Sequence, residues 1–454
     1  MSSPMPVSAE TPPPPVLPQA TEGYRSLFQN RNFLALWLGQ VFSQLADRII
    51  FVVFITLIVA NFGPHGSLKS LLYVAFTIPA ILLTAVAGVF IDRWHRKRTL
   101  VTTNLLRAAI VATIPLAVHA KSLWGLYACA FGISTVTQFF VPAESATIPM
   151  ITKPSQLLVA NSLFTTTMMG SVIFGFALGD PVIQLFGLKE VHWAIIGLFL
   201  LSAVALMFVH AGCPNLPSDR STASSALNRF LEEMKEGVSY LWGNKTVLYK
   251  ILKLAVLFSY VVAMCIVFIS FAERYLYADP AIAAQKFAWI ITFSGVGMVL
   301  GSLLIGNLCR MLPRGKLVYS GFSVVGLGLL ALTATPLFSQ RAIYPPLFPY
   351  LDGRILFAHS MAIILGIGAA MVAVPLQSVL HELIPENKRG KVMGVQFTLL
   401  SACSTFPVIL AGVGVDTIGV SAMLIIMGIP LLLFGGKGLY HRLQGRPIDD
   451  AATW

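Results

Sequence analysis

Long apolar runs recur from near the start of this chain almost to its end. A run of about 18 or more apolar residues is long enough to cross a bilayer as a helix. Twelve such runs can be counted, at roughly 33–60, 68–90, 99–119, 123–145, 157–185, 189–211, 247–278, 284–309, 316–336, 353–380, 391–415 and 418–440. The ten-residue alternation of membrane strands is absent, so helices are the expected means of hiding backbone polar groups in lipid. Composition points the same way. Of 454 residues 56% are hydrophobic and only 11% charged, too little polar surface for a soluble chain of this size. The expected fold class is an all-α membrane protein with twelve transmembrane helices.

The net charge is +12. In a soluble chain such an excess would raise nucleic-acid binding, but its distribution gives a different account. Lys and Arg gather at both termini, in the 88–98 loop, in the central polar stretch, and near 310–316 and 388–391. An even number of spans puts all of these on one side, and the positive-inside bias makes that side the cytoplasm. The expectation is a multi-pass protein of the cytoplasmic (inner) membrane with both termini cytoplasmic and no nucleic-acid partner. Cys129, Cys213, Cys265, Cys309 and Cys403 are scattered without a C-x-x-C pair and read as small buried hydrophobes. The eight histidines are dispersed too, so neither a metal site nor a cofactor is expected.

Residues 1–28 hold Thr11-Pro12-Pro13-Pro14-Pro15 and read as a disordered cytoplasmic tail. A first bundle of six spans is expected over 29–212 and a second over 246–441, with a short tail after 442. Between them, 213–245 is the longest polar stretch. Within it Leu227, Phe230, Leu231, Met234, Val238 and Leu241 recur at helical spacing, which predicts an amphipathic helix on the membrane or on the bundle ends.

Polar residues inside the spans are the candidates for function. Gln40, Gln44, Asp47 and Arg48 fall at i, i+4, i+7 and i+8 of the first span and share one helical face. A lone charge at that depth costs about 2.5–3.5 kcal/mol, so the stripe should face a wet cavity or a partner helix. Its two readings are a substrate or proton site and a structural ion network. Arg107 in the third span could partner Asp47 or snorkel to the cytoplasmic interface. Gln138 in the fourth span is a further cavity candidate, and Glu144 is expected at the cytoplasmic end, where it could neutralise the 93–98 cluster. Gly170, Gly175 and Gly179 in the fifth span would allow close helix contact. Asp180 and Asp416 end the fifth and eleventh spans as outer-gate or helix-end residues, and Glu273 with Arg274 reads as an interface anchor.

The loop Gly88-Val89-Phe90-Ile91-Asp92-Arg93-Trp94-His95-Arg96-Lys97-Arg98 sets an acid and a dense basic cluster between two apolar runs. It resembles the loop motif of the major facilitator superfamily, matching at Gly88, Asp92, Arg93, Arg96 and Lys97, with His95 where a glycine is usual. The chain also repeats itself. Gly306, Arg314 and Lys316 stand 218 positions after Gly88, Arg96 and Arg98, and Val374-Pro375-Leu376-Gln377-Ser378 stands 233 after Val141-Pro142-Ala143-Glu144-Ser145. Arg310 replaces the acid in the second copy of the loop. The resemblance covers about 30–441 and implies two pseudo-symmetric six-helix bundles. Gln44-Leu45-Ala46-Asp47 and Pro142 with Ala160-Asn161-Ser162-Leu163 are similar to the branch holding the enterobactin exporter and macrolide efflux permeases. Drug-exporting members carry Gly-Pro-x-x-Gly-Gly in the fifth span. This chain has Gly175-Phe176-Ala177-Leu178-Gly179-Asp180, without the proline and the last glycine.

The resemblance implies a secondary transporter working by alternating access, as a monomer, with a small-molecule substrate and proton coupling. Gly88, Asp92, Arg93, Arg96, Lys97 and Glu144 would form the cytoplasmic gate, and Asp47 would carry the proton. Export of an amphipathic compound is the expected activity. The alternatives are a lysophospholipid-type flippase and a receptor or assembly factor that moves nothing. No nucleotide loop, metal cluster or nucleophile elbow supports an enzyme.

Overall fold

The computed structural model describes residues 24–91, 94–210, 223–338 and 352–443. The Pro-rich tail, Asp92, Arg93 and the last part of the C-terminal tail lie outside them. The described chain forms a short α1 (Tyr24–Gln29), then α2 (Arg31–Phe62), α3 (Gly66–Ile91), α4 (Arg96–His119), α5 (Leu123–Ile151) and α6 (Leu157–Met207). A surface helix α7 (Ala223–Gly243) follows. The second half holds α8 (Lys245–Phe271), α9 (Pro280–Met311), α10 (Arg314–Leu332), α11 (Gly353–Leu383), α12 (Glu386–Ile418) and α13 (Val420–Leu443).

Eleven helical stretches among the described residues are long and apolar enough to cross a membrane. One of them is two crossings. Gly187 in α6 has φ 76° and ψ 153°, left-handed backbone that a side chain would strain, and the chain doubles back there. Both arms consequently meet the same turn of α2: Trp37 Nε1 donates to Thr167 Oγ1 at 2.8 Å, and Ser202 Oγ donates to the Gly39 carbonyl at 2.7 Å. Counting both arms gives the twelve expected spans, six in each half.

Helix ends follow local chemistry. The Asn30 side chain accepts from the Asn32 and Phe33 amides at the start of α2, and Gly63, at φ 94°, closes its other end. Asp352 caps α11 in the same way. Both described chain ends and α7 lie on one face of the helical body, here the terminal face. The turns after α2, α8 and α12 lie on the opposite face.

The two halves meet along matched seams. The second helix of the first half, α3, packs on the fifth of the second half, α12, and the first arm of α6 packs on α9. These pairs exchange under a two-fold rotation relating the halves. One continuous core takes in buried residues of both halves, among them Ile55, Ile58, Phe268 and Phe287. Toward the terminal face the first half keeps a separate core around Phe33, Leu36, Phe140 and Phe164. The halves are therefore fused near the opposite face and part company toward the terminal one.

Helix α7 docks edge-on against α12. A Cβ on Gly237 would come within 2.7 Å of Val395 Cγ2, so the missing side chain permits the approach. Lys391 Nζ meets Glu236 Oε2 at 2.5 Å beside it.

Candidate functional site

The polar stripe of α2 divides between two neighbours. Gln40, Gln44 and Arg48 turn toward the first arm of α6: Gln40 Nε2 donates to the Phe164 carbonyl at 3.3 Å, and Ser171 Oγ donates to Gln44 Oε1 at 2.7 Å. A Cβ on Gly175 would meet the Arg48 side chain at 2.5 Å, and one on Gly179 would meet Val52 Cγ2 at 2.9 Å. Gly175 and Gly179 thus let α6 lie directly on α2. Gly170 does not share that role, because a Cβ there would meet only Phe174 of its own helix, at 3.9 Å. Gln138 donates to the Ser134 carbonyl of its own helix at 3.2 Å.

Ser43 and Asp47 turn the other way, toward α4, and meet Arg107. This arginine is wholly buried, so the snorkelling alternative does not hold. Its Nη1 donates to the Asp47 carboxylate at 3.1 and 3.3 Å, and its Nη2 donates to Ser43 Oγ and Asn104 Oδ1, each at 2.8 Å. Phe140 and Phe199 each place a ring centroid 4.7 Å from the guanidinium carbon. Aromatic faces and neutral acceptors offset the loss of water around the cation. The Asp47 side chain stays 26% exposed while its partner is wholly buried.

The candidate gate motif is only partly described. Gly88 lies in the last turn of α3. Lys97 is half-buried in the first turn of α4, and the Arg96 guanidinium lies against Met150 Sδ. Glu144 departs from expectation. It is 5% exposed, its Oε1 has no partner, and the charged groups it faces among the described residues are Arg107 and Asp47. The physical reason is helix length. α5 runs on to Ile151 through Pro142 and Pro149, about 10 Å of helix beyond Glu144, which draws that residue inside the bundle. In the second half Arg314, the repeat of Arg96, bonds Glu382 at 2.6 Å at the corresponding end.

The opposite face holds contacts that the sequence named as helix ends without their partners. Asp416 on α12 accepts from the Gly66 and Ser67 amides that open α3, at 2.6 and 2.9 Å. A carboxylate at a helix N-terminus is favoured by the free N–H groups and the dipole. Asp180 on α6 accepts from Gln285 Nε2 at 2.6 Å and Trp289 Nε1 at 3.0 Å on α9, with Lys286 at 3.6 Å. Glu273, read as an interface anchor, instead sits on a π-helical turn, Ala272–Leu276, and binds the buried Lys69 of α3 at 2.6 Å. Ser270 Oγ accepts from the same ammonium at 2.8 Å. Lys69 was legible as a charge near the start of an apolar run, where burial demands a partner. All three contacts join one half to the other.

A cavity of about 520 Å³ lies among α8, α9, α11 and α12, with Val325 of α10 and Val172 of α6 also in its wall. Phe258, Met264, Phe268 and Met298 make it apolar, and Gln377 and Gln396 stand in its wall. Gln377 is the sequence repeat of Glu144, and Gln396 carries no signal in the sequence, since a single amide in an apolar span marks no pattern.

A model of the Major Facilitator Superfamily matches residues 36–406. The chain is 27% identical over 418 residues to an uncharacterized MFS-type transporter, YfiS, of Bacillus subtilis (strain 168), covering 90% of this chain and 93% of that one. It is 24% identical over 379 residues to the multidrug efflux pump Tap of Mycolicibacterium fortuitum, covering 81% and 85%. Among solved structures it is similar to the nucleoside transporter NupG, with a TM-score of 0.63 and 12% identity over 90% of this chain and 99% of that one. A POT family transporter gives a TM-score of 0.66 at 10% identity, covering 91% and 96%. The last two likenesses bear on the fold alone.

Proposed function

This chain belongs to the Major Facilitator Superfamily, a family of membrane transporters for small molecules and not of enzymes, and on that premise we propose that it is a proton-coupled exporter of an amphipathic compound. The carrying observation is the asymmetry of the seam. Ionic and hydrogen-bonded contacts join the halves near the opposite face, while toward the terminal face the first half keeps its own core. In an alternating-access cycle this is the state open to the terminal side, the one in which an exporter receives its solute. In this reading the positive-inside bias of lysine and arginine puts that side, with both termini, in the cytoplasm. Loading from the cytoplasm fits export, as does the likeness to an efflux pump. The working unit in this reading is a monomer in the lipid bilayer.

Asp47 is the proton-binding group of this reading. While ionised it holds Arg107 through two close N–H···O contacts. A proton on Asp47 cancels that attraction, and Arg107, still held by Ser43 and Asn104, is left to the neighbouring Glu144. Exchange of Arg107 between two acids on α2 and α5 would couple protonation to the packing of the first bundle.

The test is pH-driven flux of a fluorescent lipophilic dye in proteoliposomes holding the full chain. Asp47→Asn should fold and still bind dye but lose the dependence on the proton gradient. Gradient-driven flux at the wild-type rate in that variant would overturn the proton role, and absence of flux in the wild type across a broad dye panel would overturn export.

A further inference from the structure

Among the described residues, the cavity bounded by α8, α9, α11 and α12 is lined by no Asp, Glu, Lys or Arg. An ion lodged there would lose its hydration without gaining a counter-charge. Apart from Ser294, the polar side chains in its wall are Gln377 and Gln396. Gln396 is 7% exposed and donates from Nε2 to Gln377 Oε1 at 3.0 Å. The Gln377 nitrogen faces His381 Nε2 at 3.5 Å and Met393 Sδ at 3.8 Å. Both of those atoms are able to accept, the histidine through its ring lone pair. With the His381 ring nitrogen in its accepting form, the Gln377 amide sets its nitrogen toward these two atoms and its oxygen toward Gln396. Gln396 must then give its nitrogen to Gln377, which leaves its own oxygen over. That Oε1 is buried and has no hydrogen-bond partner.

A buried acceptor without a donor is unfavourable, and a bound molecule is one way to supply the donor. The terminal amide torsion is soft, so the oxygen can turn toward the cavity when a donor is present there, with Nε2 moving off Gln377 as it does. We propose that Gln396 is a specificity-determining residue, whose side-chain carbonyl binds the hydrogen-bond donor of an uncharged, otherwise apolar substrate held in this cavity. This rests on the reading of the chain as an exporter that loads from the cavity. The repeat gives it a rationale. Gln377 occupies in the second half the place that Glu144 holds in the first, so at this position the second half meets solute with a neutral amide where the first half carries an acid. Val172 reaches the same cavity from the first half, so a bound molecule touches both and is placed to bias their relative position.

Estrone and its 3-methyl ether are a suitable probe pair, because they share one rigid apolar frame and differ in a single donor. Binding is measured by equilibrium dialysis on the purified full chain in detergent, against detergent alone. The wild type should prefer estrone by roughly five- to tenfold, the range of one neutral hydrogen bond. Gln396→Leu should bind both alike, at the wild-type affinity for the ether within about threefold, while Gln396→Glu should keep the preference. If Gln396→Leu fails to fold, Gln396→Met serves in its place. Unchanged discrimination in the apolar variant, or no binding of either compound to the wild type, would overturn the proposal. So would tighter binding of a permanently charged lipophilic cation than of estrone. Dialysis needs no gradient, so lost pH-driven flux with this preference intact would count against proton coupling and not against Gln396.

Discussion

Asp180 and Asp416 stand at matching ends of the fifth helix of each half, and each carboxylate bonds the other half. Asp180 takes donors from Gln285 and Trp289, and Asp416 takes the backbone amides of Gly66 and Ser67. A rotation that exchanges the halves carries one contact into the place of the other. Opening the opposite face requires both to break.

Removing either acid should therefore favour the state open to the opposite face. A hydrogen bond to a charged group contributes about 1.5–3 kcal/mol, so Asp416→Ala should raise the open fraction by roughly ten- to a hundredfold. A cysteine at Ser70, beside Gly412 on the α3–α12 seam, reports it through membrane-impermeant maleimide. Faster labelling in Asp416→Ala is the expected result, and equal rates would show that this contact does not hold the face shut.

The Arg107 cluster should behave as a single unit. Arg107→Ala leaves Asp47, Ser43 and Asn104 without their shared donor and empties the space between Phe140 and Phe199. Breaking one side of a buried pair costs about 3–5 kcal/mol. Thermal unfolding in detergent should show a large fall for Arg107→Ala. A smaller fall is expected for Asp47→Asn, which keeps an acceptor in place. Equal melting of wild type and Arg107→Ala would mean the cluster bears no structural load.

The number of spans was legible because apolar length is a property of each stretch alone. The partners within the first bundle were not. The spacing of Gln40, Gln44, Asp47 and Arg48 fixes a helix face, but that face is wide enough to touch two neighbours, and the structure splits it between α6 and α4. Ser43 lies between them and carries no signal of its own, since serine inside a span is common. Glu144 lies deeper than expected because the fourth apolar run stops near 145, whereas α5 continues through Pro142 and Pro149 to Ile151. In a membrane bundle neighbouring helices re-satisfy the freed backbone groups and the helix continues. Arg107 had two open readings, and only the packing of Phe140 and Phe199 decides between them.

Outside the membrane, the pairing of Glu236 with Lys391 gives a pH dependence with a definite sign. The hydrogen bond from Lys391 holds the Glu236 carboxyl below its usual 4.5. A depressed acid stabilises the folded arrangement above the unfolded value and loses that contribution as pH falls through the folded one. Docking of α7 on α12 should therefore loosen below about pH 4.5 and weaken in 1 M salt, since the pair is exposed and screened. Hydrogen exchange across 234–241 at pH 7 and pH 4 checks this after correction for the intrinsic rate. Equal protection at both would remove the pair from the account of how α7 is held.

The two kinds of glycine in α6 should part company under substitution. At Gly179 an added methyl meets Val52 at 2.9 Å, and at Gly175 it meets Arg48 at 2.5 Å, so Ala at either pushes α6 off α2. Overpacking of this kind costs about 1–3 kcal/mol. The shift at Gly175 would also move the helix carrying Asp47. Gly170 faces no other helix at that distance, so Gly170→Ala has only the backbone effect, a gain of about 0.5–1 kcal/mol in a helix interior. Gly175→Ala and Gly179→Ala should melt below the wild type and Gly170→Ala at or above it. A fall at Gly170 as large as at Gly175 would place α6 differently on α2, and with it the Ser171–Gln44 contact that orients the stripe.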